Sequence, residues 1–176
     1  MPNYCYYEMK VKGSDDAIEE LISMMNYNHP THHFHRVFEA DVYERGEGFA
    51  LIYGDVAWSI NSAMLCLLGG CESTGKEYDF ISNVSRRLQL EIEIFSSEPG
   101  IGFQEHYIFN NGKTVLSDCI DYSEYCFDEL NYNGDTYEEK FAAFLEDNEL
   151  SITPDDLDEN GNYCIGGVKN FGDWTI

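Results

Sequence analysis

The sequence predicts an α+β fold built on an antiparallel sheet, and three observations predict it. Segments with an apolar residue at every second position are interleaved with segments whose apolar residues recur at i, i+3, i+4 and i+7, so strands and amphipathic helices share the chain. The strands of each run are joined by short Gly- and Asn-containing turns, which is the pattern of hairpins rather than of parallel crossovers. Hydrophobic residues make up 43% of 176 positions, enough to bury a core at the size of one domain.

The elements follow in order. Tyr4 to Lys12 alternates, with Cys5, Tyr7, Met9 and Val11 on one side and Glu8, Lys10 and Lys12 on the other, and Gly13 ends it. Ser14 caps a helix with Asp15 and Asp16 in its first turn, where the helix dipole favours them, and Ile18, Leu21, Ile22 and Met25 on its apolar face. Phe34 to Arg45 reads as a strand, Gly46-Glu47-Gly48 as a turn and Phe49 to Trp58 as the hairpin partner. Ser59 then caps a helix with the stripe Ile60, Ala63, Met64, Leu67 and Leu68, stopped by Gly69-Gly70. Thr74 with Glu77 forms a capping-box pattern for a further helix carrying Tyr78, Ile81, Val84 and Leu88.

Strands return at Leu90, Ile92 and Ile94, which alternate with Glu91 and Glu93, and at Gly102 to Phe109 after the turn Glu98-Pro99-Gly100. Asn110-Asn111-Gly112 is the strongest tight-turn signal, because Asn and Gly tolerate positive φ, and Thr114 to Tyr122 is the returning strand. Asp135, with Glu138 three residues on, opens a last helix whose Tyr137, Phe141, Phe144 and Leu145 face a core. Residues 1–130 are therefore expected as one α+β domain and residues 131–176 as an acidic extension packed on it.

Ten Lys and Arg stand against 33 Asp and Glu, a net charge of −23, and residues 118–176 hold 16 of the acids with only Lys140 and Lys169. Direct binding to nucleic acid or to an anionic membrane is disfavoured, since like charges repel. The same charge suits a basic protein. Aromatics are frequent, with 13 Tyr and 11 Phe, which argues against a disordered acidic chain. No apolar run approaches the roughly 18 residues that span a bilayer. Met1-Pro2-Asn3-Tyr4 shows no basic segment followed by an apolar signal core, so the six cysteines are expected as free thiols in a reducing, cytoplasmic compartment.

Four clusters carry possible chemistry. His29, His32, His33 and His35 lie close enough in sequence to share a metal ion, against the simpler reading of a surface loop. Asp156, Asp158 and Asn160 with Gly161 match the first half of a calcium loop, but Gly167 stands where the bidentate Glu belongs, so an Asx-rich turn before a strand is the expectation. Cys66 and Cys71, and Cys119 and Cys126, have no CxxC spacing. Glu105 and His106 are neighbours on a strand and point to opposite faces, so they do not form an acid/base pair. No catalytic residue, metal or cofactor is assigned, and the expectation is a protein without enzymatic activity.

Met1-Pro2-Asn3-Tyr4-Cys5 with a strand ending at Gly13, Gly54-Asp55-Val56-Ala57-Trp58-Ser59, and Glu98-Pro99-Gly100-Ile101-Gly102-Phe103 together resemble the YubB ferredoxin-like family of phage, plasmid and mobile-element proteins, over roughly residues 1–115. The resemblance implies a ferredoxin-like antiparallel sheet with helices on one face, here extended by an acidic helix and hairpin. It departs where Gln104, Glu105 and His106 follow Phe103, and it carries over no catalytic residue.

The function expected on these grounds is binding of a basic, nucleic-acid-binding host protein, such as a defence nuclease or CRISPR effector, by carboxylates that stand in for phosphates. The expected contact residues are Asp118, Asp121, Glu124, Asp128 and Glu129, with Tyr122 and Tyr125 as anchors. A structural or self-assembling accessory domain, and an enzyme or metal-regulated module, are the competing classes.

Overall fold

A computed structural model describes residues 4–68, 78–165 and 172–176. The chain divides into two compact units, Met1–Ile120 with Val168–Ile176, and Asp121–Gly167. The break falls at 120/121, where the sequence reading set a boundary at 130/131.

The first unit is α+β. It opens with β1 (Tyr4–Lys12) and α1 (Asp15–Met25), in which Ser14 Oγ accepts from the Ala17 N–H and Ile18, Leu21, Met24 and Met25 are buried. Next come β2 (His32–His35), β3 (Asp41–Gly46) and β4 (Phe49–Ala57). They are followed by α2 (Ile60–Ala63), β5 (Leu65–Leu68), β6 (Tyr78–Phe80) and α3 (Ile81–Leu88). The unit is completed by β7 (Glu91–Glu98), β8 (Phe103–Asn110) and β9 (Lys113–Asp121), whose last residue belongs to the second unit.

Six strands form one sheet in the order β3-β4-β1-β7-β8-β9, with antiparallel pairing from β3 through β8. A smaller antiparallel sheet has the order β2-β5-β6.

The period-2 reading of β1 holds: Cys5, Tyr7, Met9 and Val11 are buried, and they join Ile52, Ile92, Ile94 and Phe109 beneath Ile18, Leu21, Met25, Ile81 and Val84 of the helices. The helices thus cover one face of the sheet. Gly54 lies opposite Tyr7 in this layer, and a Cβ there would collide with the Glu39 carbonyl oxygen, the same oxygen to which Tyr7 Oη donates at 2.8 Å. Close approach of that segment therefore requires glycine. Asn111 and Gly112, at φ 48° and 86°, make the tight β8–β9 turn that the Asn-Gly pair foretells.

Several elements differ from the sequence reading. The helix expected over Ile60 to Leu68 stops after one turn, and Leu65–Leu68 is a strand between β2 and β6. A short apolar run fits either period, and strand partners on both sides decide it. Phe34 to Arg45 is two strands in two sheets rather than one, joined through a bridge between Val37 and Val56. Gly69-Gly70 and the Thr74–Glu77 capping box lie outside the described residues, while Tyr78 belongs to a strand and the helix begins at Ile81.

The second unit contains β10 (Ser123–Cys126), α4 (Tyr137–Asp147) and β11 (Asn162–Ile165), with β10 and β11 paired antiparallel. The cap of α4 is Thr136 with Glu139, one residue beyond the Asp135–Glu138 pair read from sequence, and both halves of the box are made. This unit has its own core. Phe127, Phe141 and Phe144 are buried there, with Tyr125, Tyr132, Leu145, Leu150, Ile152 and Leu157 packed around them.

Candidate interaction surface

The second face of the six-stranded sheet is unlike the first. The residues of β1 that alternate with its core positions are Tyr4, Tyr6, Glu8, Lys10 and Lys12, and pairing places Ala57, Asp55 and Tyr53 of β4 beside the first three. Tyr4 is 60% exposed and Phe38 51%, and their rings meet at 5.4 Å. Tyr43 sits at the irregularity between Val42 and Glu44 in β3, and its ring reaches Tyr53 at 5.7 Å. A bulge re-aims a side chain in this way.

Tyr6 Oη donates to Glu8 Oε1 at 3.0 Å. Burial, then that hydrogen bond and the charge of Glu8, push the Tyr6 hydroxyl well above its ordinary value, and burial with Glu8 and Glu44 pushes Tyr43 up as well. Tyr6, Tyr43, Tyr53 and Glu8 are therefore one contiguous cluster, in which the Tyr6 and Tyr43 hydroxyls are held in their neutral form. Trp58, at the end of β4, is 45% exposed and has φ 73°, a left-handed conformation that costs a bulky residue about 1–3 kcal/mol.

The sequence reading missed this face. Its signal was present, since assigning Cys5 and Tyr7 to the core puts Tyr4 and Tyr6 on the opposite side by the same alternation.

The residues expected from sequence are placed as follows. Asp118 is exposed on β9, and Asp121 is exposed at its end. Tyr122 is buried, and Tyr125 packs on the second core, so both are used in part by the fold. Glu124 lies in β10, opposite Cys164. Asp128 caps a short 3-10 turn, its Oδ1 accepting from the Leu130 N–H at 2.9 Å, and Glu129 Oε2 is 3.6 Å from Lys140 Nζ. Asp128 and Glu129 also line an open groove of about 540 Å3 within the second unit, together with Phe127, Tyr137, Leu157 and Asp158.

The clusters weighed as metal sites are engaged otherwise. Asp158 Oδ1 accepts from the N–H groups of Asn160 and Asn162, both at 2.8 Å, and Asp156 Oδ2 from Thr153 N–H and Oγ1, both at 2.8 Å. Hydrogen bonds from the Thr153 backbone to Asp156, and from the Asn162 backbone to Asp158, hold both carboxyls below their ordinary values. His29 Nδ1 accepts from the N–H groups of Thr31 and His32, and His32 Nδ1 is 2.7 Å from Thr31 Oγ1. Among the described residues no three His, Cys, Asp or Glu side chains converge as ligands. Cys5 is buried, and burial pushes its thiol up to about 12, which makes it unreactive.

Glu105 and His106 do point to opposite faces. On the core face Glu105 Oε2 accepts from the Ile60 N–H and from Ser96 Oγ, both at 2.7 Å, and Oε1 accepts from Tyr107 Oη at 3.1 Å. This carboxylate anchors α2 at its first residue. His106 stacks on Phe95 across the pairing of β7 with β8, at 4.0 Å between ring centres, on the other face.

Comparison with protein-family models, with curated proteins and with solved structures finds no match. Among the described residues no helix is long and apolar enough to cross a membrane.

Proposed function

We propose that the protein is an acidic binding module that docks a basic protein surface on the open face of β3-β4-β1. The observation that carries this reading is the exposed aromatic group of Tyr4, Tyr6, Phe38 and Tyr43 with Glu8 and Asp55 among its members. Tyrosine rings give contact area at little entropic cost and attract Arg and Lys through their faces, while carboxylates steer a cationic partner and fix its register. A net charge of −23 supplies the long-range attraction.

The finer reading has the module come from a phage or mobile element and block the nucleic-acid channel of a host nuclease or CRISPR effector. Support for the mobile-element setting comes from the motifs that resemble the YubB family, and the path β1-α1-β3-β4-α3-β7 with spatial order β3-β4-β1-β7 is compatible with the ferredoxin-like sheet that the resemblance implies. The acids Asp118, Asp121, Glu124, Asp128 and Glu129 are the second contact group in this reading.

The test is competition between the protein and labelled duplex DNA for a panel of purified nucleases with basic channels. Displacement of DNA is expected, weakening as salt rises. Joint Tyr6→Ala and Tyr43→Ala substitution should abolish it. If reversal of the five acids abolishes displacement and the tyrosine variant retains it, the contact lies in the acidic segment instead. Failure to displace DNA from any member of the panel refutes the nuclease reading.

A further inference from the structure

Gly172–Ile176 is seated on the open face of β7 and β8, in the first unit. Glu93, fully buried, receives it. Glu93 Oε2 accepts from the N–H groups of Thr175 at 2.7 Å and Ile176 at 3.0 Å, and Oε1 accepts from Thr175 Oγ1 at 3.0 Å. Oε1 also lies 2.8 Å from His106 Nε2. The Trp174 ring meets Phe95 at 5.4 Å, and Phe95 in turn stacks on His106.

A carboxylate that reads two consecutive backbone N–H groups and a hydroxyl, beside an aromatic shelf that takes the preceding side chain, is the arrangement by which proteins hold an extended peptide. We propose that Glu93, Phe95 and His106 form a peptide-binding site, filled here by the protein's own Gly172–Ile176, that accepts in its place a partner segment of the same aromatic–hydroxyl–aliphatic pattern.

Two features make the resident segment replaceable. It forms no strand with the sheet, and its Asp173 and Thr175 are exposed, so it can open without disturbing the core layer. It also leaves the site incompletely used: His106 is 5% exposed, yet its Nδ1 has no hydrogen-bond partner among the described residues.

The site adjoins the tyrosine face, since Phe95 lies opposite Glu8 across β7 and β1. Vacating it would make one continuous surface from β3 to β8. The site itself stands on Glu93, Phe95 and His106, whether or not the tyrosine face docks a partner.

The experiment uses the full chain and a dye-labelled peptide Gly-Asp-Trp-Thr-Ile. The variant with Trp174→Ala and Thr175→Ala should bind the peptide about tenfold more tightly than the parent, because its own segment no longer competes. Adding Glu93→Gln should remove that gain, and a scrambled peptide should bind at least about tenfold more weakly. A folded double variant that binds no better than the parent, or that binds both peptides alike, overturns the proposal. If the double variant does not fold, hydrogen exchange of the parent decides: excess peptide must speed exchange at the Thr175 and Ile176 amides, and unchanged rates overturn it. The nuclease competition reads a different set of residues, so either can fail alone.

Discussion

Replacing Glu105 by alanine should strongly destabilise the first unit. The side chain is buried and serves three donors: the Ile60 N–H, Ser96 Oγ and Tyr107 Oη. Hydrogen bonds to a carboxylate are worth about 1.5–3 kcal/mol each, and an orphaned buried donor costs about 1–3 kcal/mol. The two hydroxyls can rotate toward other acceptors, but the Ile60 N–H opens α2 and cannot turn away. Removing the carboxylate also relieves the cost of burying it, so the net loss is set at about 3–4 kcal/mol.

Glu105→Gln keeps the shape, its oxygen can hold the Ile60 N–H, and its nitrogen can donate to the Tyr107 oxygen. Only charge assistance is lost, about 1–2 kcal/mol. Urea unfolding of the two variants at neutral pH measures both numbers, with an unchanged slope as the check on two-state behaviour. An alanine variant within about 1 kcal/mol of the parent, or a glutamine variant as unstable as the alanine one, would refute the hydrogen-bond account.

Single Tyr6→Ala and Tyr43→Ala substitutions should each weaken partner binding by about 2 kcal/mol or more while melting temperature stays within a few degrees, measured by calorimetry on the nuclease complex. Phe127→Ala should cost about 3–5 kcal/mol and expose residues 121–167 to protease, because the ring of Phe127 contacts those of Tyr132, Tyr137, Phe141 and Phe144 in a core with few other members. Burial pushes the Glu93 carboxyl up, but hydrogen bonds from Ile176, His106 and Thr175 more than offset this and hold it below its ordinary 4.5. Its stabilising contribution is therefore complete above that value and is lost as pH falls through the lowered one. Melting curves of parent and Glu93→Gln should converge as pH is taken below 4.5, and a gap that persists in acid would contradict the assignment.

The strands were legible where apolar residues alternate with polar or exposed ones. Cys5, Tyr7, Met9 and Val11 alternate with polar or exposed residues, and Ile92 and Ile94 do the same. The Asn111-Gly112 turn was legible because few residue pairs accept its backbone. Leu65–Leu68 was not legible as a strand, since four apolar residues satisfy both periods and only the nonlocal partners β2 and β6 choose between them. The use of Glu93 was hidden for the same reason. Its donors are 82 and 83 residues away, and no local pattern reports them. The acidic residues 118–129 were visible as composition, but composition does not say that Asp128 caps a turn or that Tyr122 is buried.

The proposed location of the binding face rests on what covers the neighbouring strands. On the first face α1 and α3 pack over the strands around β1 and β7, and on the second Gly172–Ile176 lies on β7 and β8, so that Glu105 and Glu93, buried on opposite sides, take donors from Ile60 and from Thr175. The β3-β4-β1 end of the second face has no such cover among the described residues, and it is there that Tyr4, Tyr6, Phe38 and Tyr43 are exposed together. Aromatic side chains grouped in the open support the proposed site, because exposed apolar residues are otherwise scattered singly. The adjacent edge strand also constrains how a partner arrives. β3 is irregular between Val42 and Glu44, is exposed along most of its length and carries the charges of Asp41, Glu44 and Arg45, which opposes addition of another strand. Docking through side chains on the face, rather than through backbone at the edge, is the mode that this geometry leaves open.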